Sequence, residues 1–458
     1  MRRPTSLLLL TAGLAVVAAC ASAEAPSDPP AGTANGVAAP GAPLALVGGT
    51  LIDGGEGPPV RNSVVLVRDG RIEQVGTVAD TPVPEGYAVV DTNGMSVLPG
   101  LWDAHVHLLY AGHTQLPAWH ETYTERFATE IMPATARQHL LAGVTSVRDL
   151  GAPPDAILSV RDRIAAGELE GPTVYAAGPQ LNRSFPEWAR FYRRAVADPE
   201  DAARVANALI DAGVDALKIT NAEGMTVADI RAITDAAHAR GVIVAAHGRS
   251  NAEIRMGLEG GVDEFEHVGL TGDDDAGYPP DLLAAIRARV VSGPPLYWTL
   301  TVGLALRGAD MARDRELLDA SEAYEGLPPD VAADVRTAVA GFAAEPANRE
   351  AIVRKVRQLR DAGVEFLVGS DAGLAGNFHA QALWQEMDAW VRVLGIEPLE
   401  VIRRATAVPA AALGRGGEVG VVAPGQVADV IAVAGDPLVH MNVVRHPAVV
   451  IARGRRVR

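Results

Sequence analysis

Cysteine, lysine and positive charge are all scarce in this chain of 458 residues. The single cysteine is Cys20. One thiol cannot close an internal disulfide, so the fold must rest on its own packed core. Only Lys218 and Lys355 are lysines among 40 basic residues; the rest are arginines. The 40 basic residues face 56 acidic ones, for a formal net charge of −16. Such an acidic chain argues against a nucleic-acid partner, because phosphate binding needs basic patches. Long apolar runs are also missing, apart from one at the extreme N-terminus. What remains is ordinary globular composition, 48% hydrophobic and 21% charged. That excludes disorder, collagen and a small disulfide scaffold. The length suits two or three domains, or one large barrel with an appendage.

The N-terminus reads as an address. Arg2 and Arg3 precede an apolar stretch, Leu7 to Ala19, that is too short to span a bilayer. The stretch ends Val17-Ala18-Ala19-Cys20. Residues 1–20 therefore resemble a bacterial lipoprotein signal with its lipobox, and Cys20 would carry the lipid. The alternative is a plain signal peptide cut after small residues. Residues 21–44 are rich in Ala, Pro, Gly and Ser, as expected of a flexible tether. The expectation is an exported cell-envelope lipoprotein, periplasmic or surface-facing, that meets the membrane only through this anchor.

Residues 45–99 carry short β-like runs, with Asp69-Gly70 between two of them as a hairpin signal. Residues 416–458 repeat that texture, so the two ends are expected to pair into one composite β domain, a small sandwich. The middle, 100–415, alternates strand-like and helix-like segments. Its strand-like runs end at Trp102 or span 145–147, 173–176, 216–219, 242–246, 264–266, 296–300 and 366–369. Helix-like stretches at 226–240, 251–260 and 348–362 lie between them. Recurrent Ala-Gly-Val triplets at 142–144, 212–214 and 362–364 look like helix caps feeding strands. Eight such units predict an α/β fold, a (β/α)8 TIM barrel. The competing fold is an open doubly wound sheet, weakened by the lack of a Gly-rich dinucleotide loop. Residues 270–350 are long for their place, and are expected to form a lid or merely surface helices.

In a barrel of this kind the chemistry sits at the C-terminal strand ends. His105 and His107 follow the first run at spacing i, i+2, which points both imidazoles to one side of a strand. Lys218 ends the fourth run, His247 the fifth, His267 the sixth and Asp371 the eighth. Four imidazoles and a carboxylate at one end suit a divalent metal. Lys218 stands in an apolar strand of a chain that otherwise uses arginine for generic cations. Burial would lower its pKa, and a neutral amine can take up carbon dioxide as a metal-bridging carbamate. The alternative is an ion pair with a neighbour such as Asp215.

These residues resemble the metal-dependent amidohydrolase superfamily, over about 45–458. The resemblance rests on Leu51-Ile52-Asp53-Gly54, Pro99 to His107, Gly369-Ser370-Asp371-Ala372 and Pro424 to Val430. Gly213 to Ile219 and Glu266-His267-Val268 make it most similar to the imidazolonepropionase-like and Xaa-Pro dipeptidase (carboxypeptidase)-like subgroup. The resemblance implies an inner metal held by His105, His107 and Asp371. It implies a second held by His247 and His267, with carboxylated Lys218 bridging the two. The ions would be zinc, binding a bridging hydroxide. Asp371 would act as general base, then acid, on an amide. Single-metal sites belong to the imidazolonepropionase type; Lys218 favours the two-metal, peptidase-like branch.

Tyr110, His113, Arg148, Arg249 and His379 are candidate substrate contacts, with Asn182 and Arg183 beside them. An arginine near the metals could hold a substrate carboxylate, although Arg148 next to Asp149 equally suits a structural ion pair. The leading expectation is cleavage of an amide in a dipeptide or N-acyl amino acid. The alternatives are hydrolysis of a cyclic amide, lactone or other ester, and a non-catalytic substrate-binding lipoprotein. The expected partner is a small-molecule or dipeptide substrate, and a homo-oligomer is compatible with it.

Overall fold

The computed structural model describes residues 41–268, 276–307, 311–344 and 347–458. The expected signal, Cys20 and nearly all of the tether lie outside the described residues.

The described chain opens with six short strands, β1 (Leu44–Val47), β2 (Thr50–Leu51), β3 (Ser63–Arg68), β4 (Arg71–Thr77), β5 (Ala88–Asp91) and β6 (Met95–Pro99). Asp69 (φ 50°) and Gly70 (φ 78°) make the β3–β4 turn. Two consecutive positive φ values give the twist that closes a two-residue hairpin, and an Asp-Gly pair adopts them cheaply. One sheet has the order β4-β3-β1-β5. The other takes strands from both chain ends. It combines β2 and β6 with β17 (Val430–Ala434), β18 (Pro447–Ala452) and β19 (Arg455–Arg456), in the order β19-β18-β17-β6-β2. Leu44, Leu46, Val65 and Val67 of the first sheet share a buried cluster with Val97, Val430, Ala432 and Ile451 of the second.

The middle of the chain has a TIM-barrel-like α/β fold. Parallel strands β7 (Leu101–Val106), β8 (Val144–Asp149) and β9 (Thr173–Ala176) form one sheet. The larger sheet contains β10 (Gln180–Asn182), β11 (Arg193–Ala195), β12 (Ala216–Ile219), β13 (Ile243–His247), β14 (Glu264–Glu266), β15 (Tyr297–Thr299) and β16 (Glu365–Leu367). Backbone hydrogen bonds join the two sheets at both sides. Ala104 N–H donates to the Val368 carbonyl (3.1 Å) and Asp371 N–H to that of His105 (2.8 Å). On the other side Asp215 N–H donates to the Ala176 carbonyl (2.7 Å). All eight strand-like runs of the middle region are strands. The short β10 and β11 are additions that the runs did not show.

The three Ala-Gly-Val triplets end helices. Gly143, Gly213 and Gly363 have φ values of 84°, 95° and 85°, the left-handed conformation that reverses the chain at a helix end. Within 270–350 the structure finds β15 and several helices. The helix Pro329–Val339 is tied to the segment after β7. The Thr114 hydroxyl donates to the Ala338 carbonyl (3.0 Å), and Arg126 pairs with Asp330 at 2.6 Å.

Candidate metal centre

The strand ends bring the expected ligands together. His105 lies in β7 with His107 just beyond it, Lys218 lies in β12, His247 ends β13, and His267 directly follows β14. Asp371 sits four residues past β16 and is anchored beside β7 by its N–H bond to His105. All six residues are at most 9% exposed. The four imidazoles form a continuous group. Ring centroids lie 5.3 Å apart for His105–His107, 5.0 Å for His105–His267 and 4.9 Å for His247–His267. Asp371 Oδ1 lies 3.3 Å from Nε2 of both His105 and His107, and these three residues form a group able to hold a cation.

Backbone strain gathers here. Asn221, His267, Thr301 and Asp371 have φ values of 50°, 77°, 51° and 56°, although none is glycine. Non-glycine residues with positive φ persist where the surroundings over-determine them, commonly at functional sites. Gly373 (φ 105°) must be glycine for another reason, since a Cβ there would collide with the His107 carbonyl oxygen.

The partners of the imidazoles settle their orientation. His105 Nδ1 lies 2.7 Å from Glu266 Oε2, while the other Glu266 oxygen lies 3.2 Å from Arg148 Nη2. A carboxylate beside an arginine accepts, so Nδ1 carries the proton and Nε2 presents a lone pair. That lone pair faces Asp371 Oδ1, and neither atom has a hydrogen-bond partner. Two acceptors held together in a dry interior repel each other unless a cation lies between them. The donor set therefore fits a divalent ion. His267 Nδ1 is held by the Thr301 hydroxyl (2.9 Å) and His247 Nδ1 by that of Thr220 (2.8 Å).

Burial sets the charge states. It holds His105, His247 and His267 well below the ordinary imidazole range, and the Lys218 charge adds to this. Neutral imidazole is the form that binds metals. Burial also pushes Lys218 down to about 8, against the pull of Glu266. Lys218 Nζ is buried without a hydrogen-bond partner. Asp215, its imagined alternative partner, instead pairs with Arg161 (3.1 Å) and accepts from Ala176 N–H (2.9 Å). Asp371 is held well below the usual carboxylate range. Burial alone would raise it, but His105, His267 and His107 together outweigh burial.

The candidate substrate contacts fare differently. Arg148 is 1% exposed and donates to both oxygens of Glu264 at 2.6 Å. Its guanidinium is committed to the interior, which corrects its reading as a substrate contact and agrees with the structural one, through Glu264 and Glu266 rather than Asp149. His379 is enclosed between His139 Nε2 (2.8 Å) and the Tyr110 carbonyl (2.7 Å). The Tyr110 hydroxyl meets His120 Nε2 at 2.9 Å, although its ring lies 6.1 Å from that of His107. His113 Nδ1 accepts from Gln115 N–H (3.0 Å), with Nε2 3.5 Å from Asp334. Asn182 donates to the Ser184 carbonyl (2.9 Å), and Arg183 braces Asp229 and the Val196 carbonyl. Arg249 lines a cavity together with Arg183.

Sequence reading missed Glu264, Glu266, Thr220, Thr301 and Asp103. Asp103 accepts from Ser370 N–H (2.9 Å), fastening the segment that carries Asp371 to the His105 strand. One signal was available: Glu264 and Glu266 alternate in a strand with Phe265, so both acids face the interior.

The Amidohydrolase family model matches residues 96–457. The chain belongs to the amidohydrolase family. This amidohydrolase is 24% identical to the ochratoxinase of Aspergillus niger, over 89% of this chain and 85% of that protein. It is 26% identical to the imidazolonepropionase of Rhodococcus jostii, over 86% of this chain and 88% of that one. Among solved structures, a prolidase complexed with N-methylphosphonate-L-proline superposes with a TM-score of 0.68 and 25% identity. That match covers 91% of this amidohydrolase and 99% of the prolidase chain. The chain is accordingly a hydrolase of C–N bonds.

Proposed function

We propose that this chain is a binuclear metal-dependent hydrolase that cleaves the amide bond of a dipeptide or N-acyl amino acid. The observation that carries the reading is the pair of unpartnered acceptors, His105 Nε2 and Asp371 Oδ1, 3.3 Å apart in a buried site. His105, His107 and Asp371 would hold one ion, and His247 and His267 the second, with Lys218 between them as its carbamate. Zinc suits this nitrogen-rich set. Bound there, the ions would acidify water and polarise a carbonyl.

The chain's own groups do the rest. Glu266, Thr301 and Thr220 hold the rings of His105, His267 and His247. Asp371, ionised at neutral pH, accepts the proton of the attacking water and delivers it to the leaving nitrogen. The backbone bonds at both sheet junctions support a closed (β/α)8 barrel over 100–415, and the cluster shared by the terminal sheets supports a β sandwich of 45–99 with 416–458. The prolidase and imidazolonepropionase relatives support an amide substrate. In the cell the chain would be exported and anchored through lipidated Cys20.

The test is turnover of dipeptides, N-acyl amino acids, cyclic amides and lactones by full-length protein supplied with zinc and bicarbonate, with products followed by mass spectrometry. Release of free amino acids that stops with a chelator and returns with zinc is expected. Ring opening alone would move the substrate to the cyclic class. No turnover by fully metallated protein would overturn the reading.

A further inference from the structure

The two candidate ion positions are built from unequal parts. Among the described residues, His105, His107 and Asp371 are the one group of three whose donor atoms lie close enough together to share an ion. The backbone around Asp371 is tied down from several sides. Its N–H donates to the His105 carbonyl (2.8 Å), and Asn377 Nδ2 donates to the carbonyls of Ser370 (2.8 Å) and Asp371 (3.0 Å). These bonds hold the carboxylate 3.3 Å from Nε2 of both His105 and His107. Glu266 commits His105 to one tautomer, because an ionised carboxylate only accepts.

His247 and His267 face different partners. Each ring offers Nδ1 to a hydroxyl, His247 to Thr220 (2.8 Å) and His267 to Thr301 (2.9 Å). A hydroxyl donates as readily as it accepts, so it suits either tautomer. When it donates, the ring proton sits on Nε2, which then has no lone pair for a metal. Asn221 Oδ1 lies 3.4 Å from the Thr220 hydroxyl, too far to fix the direction of its proton. Asp371 Oδ2 stands 3.9 Å from His267 Nδ1, beyond hydrogen-bond reach. A carboxylate partner also raises the basicity of a ligating imidazole, which a neutral hydroxyl does less well. The inner charges differ as well. The trio supplies a carboxylate, whereas His247 and His267 supply none. Lys218 gives an anionic oxygen only as its carbamate, and a bridging carbamate serves both positions alike.

Resting on the binuclear reading above, we propose that the two positions fill in order and with unequal affinity. The first ion goes to His105, His107 and Asp371. The second goes to His247 and His267 more weakly, with Thr220 and Thr301 as the positioning residues that set its affinity. The second ion is therefore the exchangeable one.

The test separates this proposal from the reading beneath it. Zinc binding to full-length apo-protein is measured in bicarbonate buffer, by chelator competition for the tight step and calorimetry for the weak one. Two steps at least about 100-fold apart are expected, from the missing carboxylate and the uncommitted tautomers together. Diffraction at the zinc absorption edge, on crystals given one equivalent, should place that ion against His105, His107 and Asp371. Thr301→Val should weaken the second step about tenfold and leave the first within about threefold. Thr301→Ser keeps the hydroxyl and should bind as the wild type does. Two equal steps would overturn the proposal and leave the binuclear reading standing. A first ion on His247 and His267 would also overturn it, as would a folded Thr301→Val protein with both steps unchanged. One tight ion and no second at any zinc concentration would overturn the binuclear reading itself. Two ordered ions without turnover of any amide would support the proposal and overturn only the hydrolase reading.

Discussion

Glu266 Oε2 lies 2.7 Å from His105 Nδ1, and both side chains are sealed from solvent. This contact aims the lone pair of Nε2 at Asp371, the orientation a histidine of β7 would need to bind a metal. Glu266→Gln keeps the shape but weakens the charge-assisted bond. Zinc affinity is expected to fall about 10–100-fold, the usual cost of losing an outer-sphere partner. Competition with a chromophoric chelator measures it. Unchanged affinity would show that the packing around β7 orients the ring instead.

Asp371→Asn removes the proposed proton carrier and one charged group of the candidate metal site. Turnover should fall by at least about 10²-fold, the scale of general acid–base catalysis. The far-ultraviolet circular dichroism should stay native. Steady-state kinetics on whichever amide the wild type cleaves provides the check, and near-normal kcat would refute the role assigned to Asp371.

Arg148→Met leaves Glu264 and Glu266 facing each other in the interior without their cation. Breaking a buried pair from one side costs about 3–5 kcal/mol. A matching drop in unfolding free energy is expected in urea. The double variant with Glu264→Gln should recover part of it, because one uncompensated carboxylate has gone.

Glu386 gives a pH signature away from the metal residues. It accepts from Val302 N–H (3.0 Å), from Gly303 N–H and from Trp390 Nε1 (2.7 Å). Burial nevertheless pushes it from 4.5 up to about 7. Between those values the unfolded chain has released this proton and the native chain still holds it. Its contribution to stability therefore falls as pH rises through that window, by at most about 1.4 kcal/mol per pH unit. Glu386→Gln lacks this dependence. Denaturation of both proteins from pH 4.5 to 7.5 should show the wild type losing ground steadily to the variant, and a constant difference would exclude the shift.

Local chemistry made much of this protein legible in the sequence alone. The Asp69-Gly70 hairpin, the glycine caps at 143, 213 and 363, and the strand runs depend on near neighbours, so they could be read one segment at a time. The His105/His107 spacing and the rarity of lysine around Lys218 also survive in one dimension, because each pits a residue type against its local background. The partners did not. Glu266 is 161 residues from His105, and Arg148 is 116 from Glu264. No local pattern records which distant carboxylate will satisfy a buried cation, so Arg148 read equally well as a substrate contact. Thr220 and Thr301 carry no motif at all; only the strand ends, meeting in space, place their hydroxyls against His247 and His267. Sequence thus determined which residues could do metal chemistry and on which elements they stand. Tertiary structure decided which nitrogen each ring presents and which charges are spent on the core, because those outcomes depend on desolvation and on partners that only folding brings within reach.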